Sequence, residues 1–317
     1  MSLLARRLAG IVPLLLIVSL VVFCLSLLIP GDPAVAVLGQ NATDEQLAAV
    51  RAELGLDQPV LVRYVSWLGD VVQGDFGSSL FTGYPVKSAL ADRFAVTASL
   101  VGLGVVVSVI IGVCLGAVAG YRKGSAFDRI AMTGASAGVA IPNFWLGAMF
   151  ILVFGIKFEW LPATGYEPLS SGLWQWASHL VLPVVALASS GAAEIARQMR
   201  ASMADTVDAD FIRTVRAKGM GELSVALKHG LKNAMVPVVT VAGMLITRIF
   251  GASIVIEQVF DMKGIGSLSV EAVQKRDVPV LQGIVLIVTV AVVLCNTAVD
   301  MSYSYFRPQI RMTEGAS

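Results

Sequence analysis

The chain alternates long apolar runs with shorter polar connections, and six of the runs are long enough to cross a bilayer as helices. The first run follows two arginines, but it is longer than the apolar region of a secretory signal. We therefore interpret it as a retained span. The pattern predicts an all-α membrane protein with six transmembrane helices. The predicted spans are Leu8–Ile29, Ala95–Gly120, Ile130–Ile156, Ser178–Ala196, Ala234–Ile256 and Val280–Met301.

The connection after the first span, residues 31–93, has a helical pattern of its own. Thr43 and Gln46 have the spacing of a capping box at a helix start. Asp57 can cap a second helix, with Pro59 just inside its start. We expect two amphipathic helices that lie on the membrane surface. The apolar residues of the second helix recur at helical spacing and are Leu61, Tyr64, Val65, Leu68 and Val72.

Small residues recur every four positions in the second span, and they allow another helix to approach closely. The third span adds Gly134 and Gly138. These positions predict a tightly packed helical bundle. The residues of the ridge in the second span are Gly104, Ser108, Gly112, Gly116 and Gly120.

Pro142 lies near the middle of the third span and is followed by Asn143. Proline removes a backbone donor and clashes with the preceding turn, so we expect a kink there within one helix. The kink is either a fixed bend, which we favour, or the hinge of a gate. Both residues are candidates for lining a translocation path.

Basic residues are distributed unequally between the two sides of the predicted membrane. Connections on the side of the N-terminus hold 14 of the 23 Lys and Arg, the opposite connections hold 8, and Arg248 lies within a span. Because cytoplasmic connections are enriched in Lys and Arg, both termini are predicted to be cytoplasmic. The net charge of +1 gives no reason to expect a nucleic-acid partner.

Residue patterns that would indicate catalysis or metal binding are missing from the sequence. It has no zinc-protease motif, no nucleophile elbow and no phosphate-binding loop. Cys24, Cys114 and Cys295 each lie inside an apolar run, and His179 and His229 are isolated. We therefore expect no catalytic residue, no metal and no cofactor bound by this chain, and we do not interpret it as an enzyme.

Charged residues are rare within the spans. Glu194, Glu257 and Asp300 lie near span ends, where we expect them to reach water. Ion-coupled carriers usually place ionisable groups at the midplane, so an ion-gradient-driven carrier is the less favoured alternative. Arg248 falls about halfway through the fifth span, where an unpaired charge costs several kcal/mol. It either lines a water-filled path that attracts a substrate carboxylate, or forms a structural ion pair.

The most informative polar stretch is Asp210–Gly219, within the largest cytoplasmic connection, residues 197–233. Phe211, Ile212 and Val215 form a short apolar stripe at helical spacing, and the basic residues fall largely off it. The glycine at its end can stop a helix. Periodicity alone leaves two interpretations open, an amphipathic helix on anionic lipid or a docking helix for a cytosolic partner.

This stretch resembles the coupling segment of ABC-importer permeases. In the dipeptide and oligopeptide branch, that segment typically reads Arg-Thr-Ala-Arg-Ala-Lys-Gly, and Arg213–Gly219 departs from it only at Val215. The resemblance extends over nearly the whole chain. Further stretches similar to that branch are Pro30-Gly-Asp-Pro33, Leu54-Gly-Leu-Asp57, Gly74-Asp-Phe-Gly77, Trp160-Leu-Pro162, His229–Pro237 and Arg276-Asp-Val-Pro279.

The resemblance implies a permease subunit of an ATP-driven importer in the bacterial inner membrane, which carries dipeptides or oligopeptides. Such a subunit pairs with a second, homologous permease and receives substrate from an external binding protein. Two cytosolic ATPase domains, which hold ATP and Mg, dock on its coupling segment. Similar permeases carry glutathione-like peptides or nickel complexes, so the substrate stays open. The implied docking residues are Phe211, Arg213, Thr214, Val215, Arg216, Ala217 and Gly219.

The implied organisation follows the predicted spans. Residues 1–30 form the N-terminus and first span, and 31–93 form an external loop that meets the binding protein or covers the pore mouth. Residues 94–306 form a five-helix permease core, which includes the cytosolic coupling loop 197–233. Residues 307–317 form a cytoplasmic tail.

Overall fold

A computed structural model describes most of the chain, and the regular elements in the described part are helices, which confirms the predicted all-α class. The described residues are 3–27, 33–39, 42–53 and 55–306. The helices are α1 Leu3–Leu27, α2 Pro33–Leu38, α3 Asp44–Glu53, α4 Val60–Val72, α5 Val86–Tyr121, α6 Ala126–Ala140, α7 Asn143–Phe150, α8 Leu173–Asp208, α9 Asp210–Ala217, α10 Glu222–Ser224, α11 Lys232–Val259, α12 Ile265–Lys275 and α13 Val278–Phe306.

Two compact units divide the chain. One contains Met1–Phe94 and Ser267–Val293, and the other contains Ala95–Gly266 and Leu294–Ser317. The predicted tail, 307–317, lies outside the described residues.

Helices occupy all six of the predicted apolar runs, but they differ in length and apolarity. A further crossing arises if α6 and α7, with the π-helical turns that extend α7, count as one broken span. The apolar part of α1, Ile11–Leu27, is shorter than the other candidates. The described residues therefore contain four or five candidate spans, and the count of six stays a prediction. The four helical stretches long and apolar enough to cross a membrane are Val86–Tyr121, Leu173–Asp208, Glu222–Val259 and Val278–Val299.

The prediction of one kinked helix over Ile130–Ile156 is wrong. The helix ends at Ala140, a second begins at Asn143, and the two are bent by 98°. Pro142 is extended, with φ −62° and ψ 135°, and so is the residue before it. A residue that precedes proline is driven out of the helical region, so the helix stops and restarts where a kink was expected.

In the unit that contains the N-terminus, aromatic side chains hold α4 against α1. The ring centroid of Phe23 lies 5.4 Å from that of Tyr64 and 5.7 Å from that of Trp67. The hydroxyls of Ser19 and Tyr64 are 2.9 Å apart. These contacts use one side of α4 and leave an apolar strip on the other. The exposed residues of that strip are Leu61, Val65 and Val72.

The starts of α3 and α4 test the two predicted caps. The capping box is confirmed, because the N–H of Thr43 donates to Oε1 of Gln46 at 3.0 Å and the N–H of Gln46 donates to Oγ1 of Thr43 at 3.3 Å. The predicted cap at Asp57 is wrong. Helix α4 begins at Val60, and the residue at its N-cap position is Pro59, which makes no side-chain cap hydrogen bond.

The larger unit is built around α8, which packs on α6, α7 and α11. Many of the side chains of α8 are buried, and Leu187, Ile195 and Met199 have no exposed surface. A helix that is buried over most of its circumference must be covered by other helices on several sides. The position of α8 therefore sets the positions of its neighbours.

The small-residue ridge of α5 lies close to another helix, as predicted, and that helix is α8. A Cβ added to Gly116 would lie 2.4 Å from the carbonyl oxygen of Ala196, and one added to Gly112 would lie 2.6 Å from the Cβ of Ile195. Ser108, in the same ridge, donates to a backbone carbonyl of α8 at 3.1 Å. Gly134 in α6 does not share this role, because nothing lies within 4 Å of a Cβ built there.

Replacement of Gly116 by Ala is expected to lower the thermal stability of the purified protein, since the added carbon meets a main-chain oxygen that cannot rotate away. The expected loss is about 1–3 kcal/mol. Gly102→Ala, in the same helix with open space around its Cβ, is the matched control and should leave Tm unchanged or slightly raised. Thermal melts in detergent measure both, and equal Tm values would contradict the close contact.

Candidate functional site

Helix α9, Asp210–Ala217, follows α8 after a single residue and matches the predicted short helix. The N–H of Gly219 donates to the carbonyl of Arg216 at 2.9 Å and closes the C-terminal end. Gly219 takes a φ of +78°, which side chains disfavour. The chain therefore turns away from α9 at the predicted glycine.

The side chains of α9 divide into a buried and an exposed set. Ile212 has no exposed surface, so it belongs to the packing of the chain itself. Within the predicted apolar stripe of Phe211, Ile212 and Val215, Ile212 is thus the residue that packs inward. Phe211 is 43% exposed, and the side chain of Arg213 is 74% exposed, with only a 3.5 Å contact to Asp210. Of the other predicted docking residues, Val215 is half-buried, and those that are exposed are Thr214 and Ala217.

Arg216 is engaged within the chain. Its Nε donates to Oε1 of Glu222 at 3.1 Å, and its Nη2 donates to Oε2 at 3.3 Å. The same carboxylate accepts a hydrogen bond from the hydroxyl of Tyr121 at the end of α5. The Tyr121 hydroxyl and the Glu222 carboxylate raise the pKa of Arg216 above its ordinary value. We call these three residues the α9 clamp, because they tie the end of α9 to α5 and α10.

A second ion pair, between Asp128 and Arg200, joins the first turn of α6 to α8. The Asp128 carboxylate accepts two hydrogen bonds from Arg200, at 3.0 Å from Nε and 2.7 Å from Nη2, and a third from the N–H of Gly124 at 2.9 Å. Ser125 caps α6 by accepting from the N–H of Asp128 at 3.2 Å. The Ser-x-x-Asp spacing signals this helix start in the sequence. The partner on α8 has no such signal, and sequence reasoning missed it.

A cleft of about 230 Å³, lined by both charged and apolar side chains, lies in the same unit between α6, α7, α8 and α11. Arg248 of α11 donates there to the carboxylate of Glu194 of α8. Asn143 and Arg248, two of the three predicted path residues, both line this cleft. Pro142 comes just before Asn143, at the break between α6 and α7.

Asn143 fixes the start of α7 on α8. Its Nδ2 donates to the carbonyl of Leu187 and to the hydroxyl of Ser190, both at 3.3 Å. Its Oδ1 accepts from the hydroxyl of Ser189 at 3.3 Å. Three contacts on one side chain restrain the broken span, which favours a fixed bend over a free hinge at this point.

The prediction that Glu257 reaches water from its place near a span end is wrong. Its side chain has no exposed surface, and Oε1 accepts from the hydroxyl of Thr97 at 2.6 Å. The Thr97 oxygen also accepts from the N–H of Ile265 at 2.8 Å, at the first residue of α12. The carboxylate lies so near Gly264 that a Cβ there would be 2.6 Å away. Glu257 therefore holds the turn between α11 and α12.

Two family descriptions cover most of the chain. Residues 1–101 match the N-terminal region of binding-protein-dependent transport system membrane components, and residues 112–312 match the binding-protein-dependent transport system inner membrane component. The chain belongs to this permease family. It is a multi-pass protein of the inner membrane.

Named relatives of this permease match it along almost its entire length. A protein of Sinorhizobium fredii named probable peptide ABC transporter permease is 39% identical over 96% of this chain and 98% of its own. The glutathione transport system permease protein of Escherichia coli is 40% identical over 96% of this chain and 97% of its own.

A solved structure shares the fold of the permease. It is an inward-facing conformation of the MetNI methionine ABC transporter, with a TM-score of 0.55 over 69% of this chain and 96% of that one. At 16% sequence identity the likeness concerns the fold alone.

Breaking the α9 clamp is expected to loosen α9. Arg216→Glu places two carboxylates together, and amides of α9 should exchange hydrogen about fivefold faster. Combining it with Glu222→Arg should restore the slower exchange. Hydrogen-exchange mass spectrometry measures this, and Arg213→Ala, which removes only an exposed 3.5 Å contact, is the control. No rescue by the double variant would contradict the clamp.

Proposed function

We propose that this chain is a permease subunit of an ATP-driven ABC importer that carries small peptides across the bacterial inner membrane. The observation that carries the proposal is the match to a peptide ABC transporter permease over 96% of this chain. Family membership removes the main support for the ion-gradient-driven carrier. The transport energy in this proposal comes from ATP and Mg held by partner subunits.

The role that we assign to α9 is to dock a cytosolic ATPase. Phe211 offers a half-exposed aromatic ring, and burying its remaining apolar surface would stabilise a complex by about 25 cal/mol per Å². Arg213 offers an exposed guanidinium for charge-assisted pairing. These two residues, with Thr214 and Ala217, form the contact surface in our proposal, and Gly219 lets the chain leave it.

The α9 clamp changes the part that we assign to Arg216. Its guanidinium is already paired with Glu222, so we propose that it positions α9 and does not contact the ATPase directly. Val215, which is half-buried, also belongs to the supporting side of the helix. In our proposal, the seven predicted coupling residues thus comprise four that contact the ATPase, two that support α9, and Gly219, which ends it.

The assembly that we propose contains a second, homologous permease, two ATPase domains and an external binding protein. The chain crosses the membrane six times with both termini in the cytoplasm, and the coupling loop 197–233 faces the ATPases. The connection 31–93 lies outside, with the exposed apolar strip of α4 on the lipid surface.

The substrate class of the proposal is small peptides, including glutathione-like ones. The relatives named for peptide and for glutathione transport are 39% and 40% identical to this chain, so identity does not choose between them.

Phe211→Ala is expected to weaken retention of the ATPase, because it removes the largest apolar contact offered by α9. The amount of ATPase that co-purifies with a tagged permease should fall about fivefold or more, which corresponds to roughly 1 kcal/mol. Phe81→Ala is the matched control, since Phe81 is 42% exposed but lies in the connection 31–93. Equal retention by both variants would rule out α9 as the docking surface.

The function itself is tested with the complete complex in proteoliposomes. Dipeptides, tripeptides and glutathione, each presented with the binding protein, should raise the rate of ATP hydrolysis and accumulate inside. ATP hydrolysis that no peptide stimulates, together with no accumulation, would reject a peptide importer.

A further inference from the structure

The exposed side of α11 is unlike a surface that faces lipid. Met244, Thr247, Arg248, Gly251 and Val255 recur three or four residues apart, and all are exposed. A charged side chain in the middle of a span is costly where it meets hydrocarbon. This side of α11 therefore faces water or protein, and Arg248 on it also lines the cleft.

The cleft carries an unbalanced positive charge. Its lining contains two guanidinium groups, on Arg197 and Arg248, and one carboxylate, on Glu194. Glu194 pairs with Arg248, and Arg197 makes no ion pair with any residue that the structure describes. One cation is thus left to attract an anion into the cleft.

The ion pair in the cleft is within reach of a ligand. The Arg248 side chain is 56% exposed and that of Glu194 is 31% exposed. A second carboxylate can therefore approach the guanidinium without opening a buried core. The carboxylate of a ligand would take the place of the Glu194 carboxylate on Arg248. Because the guanidinium then exchanges one partner for another, the net gain in binding free energy is small. Weak binding suits a site that a transported molecule has to leave.

The size and chemistry of the cleft fit the end of a peptide better than a whole one. Its volume of about 230 Å³ is below the roughly 300–1,000 Å³ of sites that enclose a whole drug-sized ligand. Arginine presents a planar fork of donors that matches a carboxylate in two parallel hydrogen bonds. Asn143 and Ser190 add neutral polar groups beside it.

We propose that the cleft is a subsite for the terminal carboxylate of the transported peptide, which binds Arg197 and displaces Glu194 from Arg248. This inference rests on the proposed peptide-import function. In the absence of substrate, Glu194 holds the Arg248 side chain in place and balances its charge. The subsite gives the permease a selectivity of its own, separate from that of the binding protein.

The test is a competition between peptides with free and with amidated C-termini. The complete complex in proteoliposomes, with one preparation of binding protein, receives an equimolar mixture of di- and tripeptides in both forms, and mass spectrometry measures what enters. Arg248→Gln and Arg197→Gln should each lower the uptake ratio of free to amidated peptide roughly tenfold. Glu194→Gln should raise it, because the competing carboxylate is gone. Lys263→Gln, an exposed cation outside the cleft, should leave it unchanged.

A second measurement removes the binding protein. Equilibrium dialysis of the same mixture against the detergent-solubilised complex should show the same change of preference, with Arg248→Lys intermediate because it keeps the charge and loses the fork. If Arg248→Gln lowers uptake of both peptide forms equally, the pair is structural and the subsite is rejected. An unchanged ratio in both arginine variants also rejects the subsite but leaves peptide import standing. No uptake of any peptide by the unaltered complex rejects both.

Discussion

The close approach of two backbones, α5 on α8, is the constraint on which the larger unit depends. In hydrocarbon, helices gain little from burying apolar side chains against each other, so packing distance and interhelical hydrogen bonds decide their association. Gly116 and Ser108 supply both on the α5 side. With one flank of α8 fixed in this way, α6, α7 and α11 cover its other sides. The cleft and α9 both take their positions from that arrangement.

Much of the fold was predictable because its signals are local. The four-residue repeat that contains Gly116 reports directly on a helix face, and the Thr43 capping box involves neighbours only three residues apart. Pro142 led us to expect a kink within one helix, but the helix stops there and the next one is bent by 98°. That angle is consistent with the contacts of Asn143 with α8, more than forty residues away along the chain. Tertiary contacts of this kind have no local signature.

In the candidate site, too, local features were predictable from the sequence and tertiary contacts were not. The position and end of α9 were predictable from its periodicity and from Gly219, whereas the inward turn of Ile212 depends on what packs beneath it. Sequence reasoning offered two roles for Arg248, a path residue and an ion-paired residue, and the structure gives it a partner in Glu194 within the cleft. Burial of Glu257 could not be foreseen, because its hydrogen-bond partner Thr97 lies 160 positions earlier.

One property of α8 has a mechanical consequence. Between Glu194 and Asp208 the helix contains neither proline nor glycine, and α9 begins two residues after it ends. This stretch is about 21 Å long at 1.5 Å per residue. If the stretch moves as a rigid helix, a tilt of about 5° displaces one end relative to the other by about 2 Å. A displacement of that size is large enough to break a hydrogen bond. Because Glu194 lies at one end of this stretch and α9 follows the other, a displacement of α9 by that amount would change the geometry of the Glu194–Arg248 ion pair.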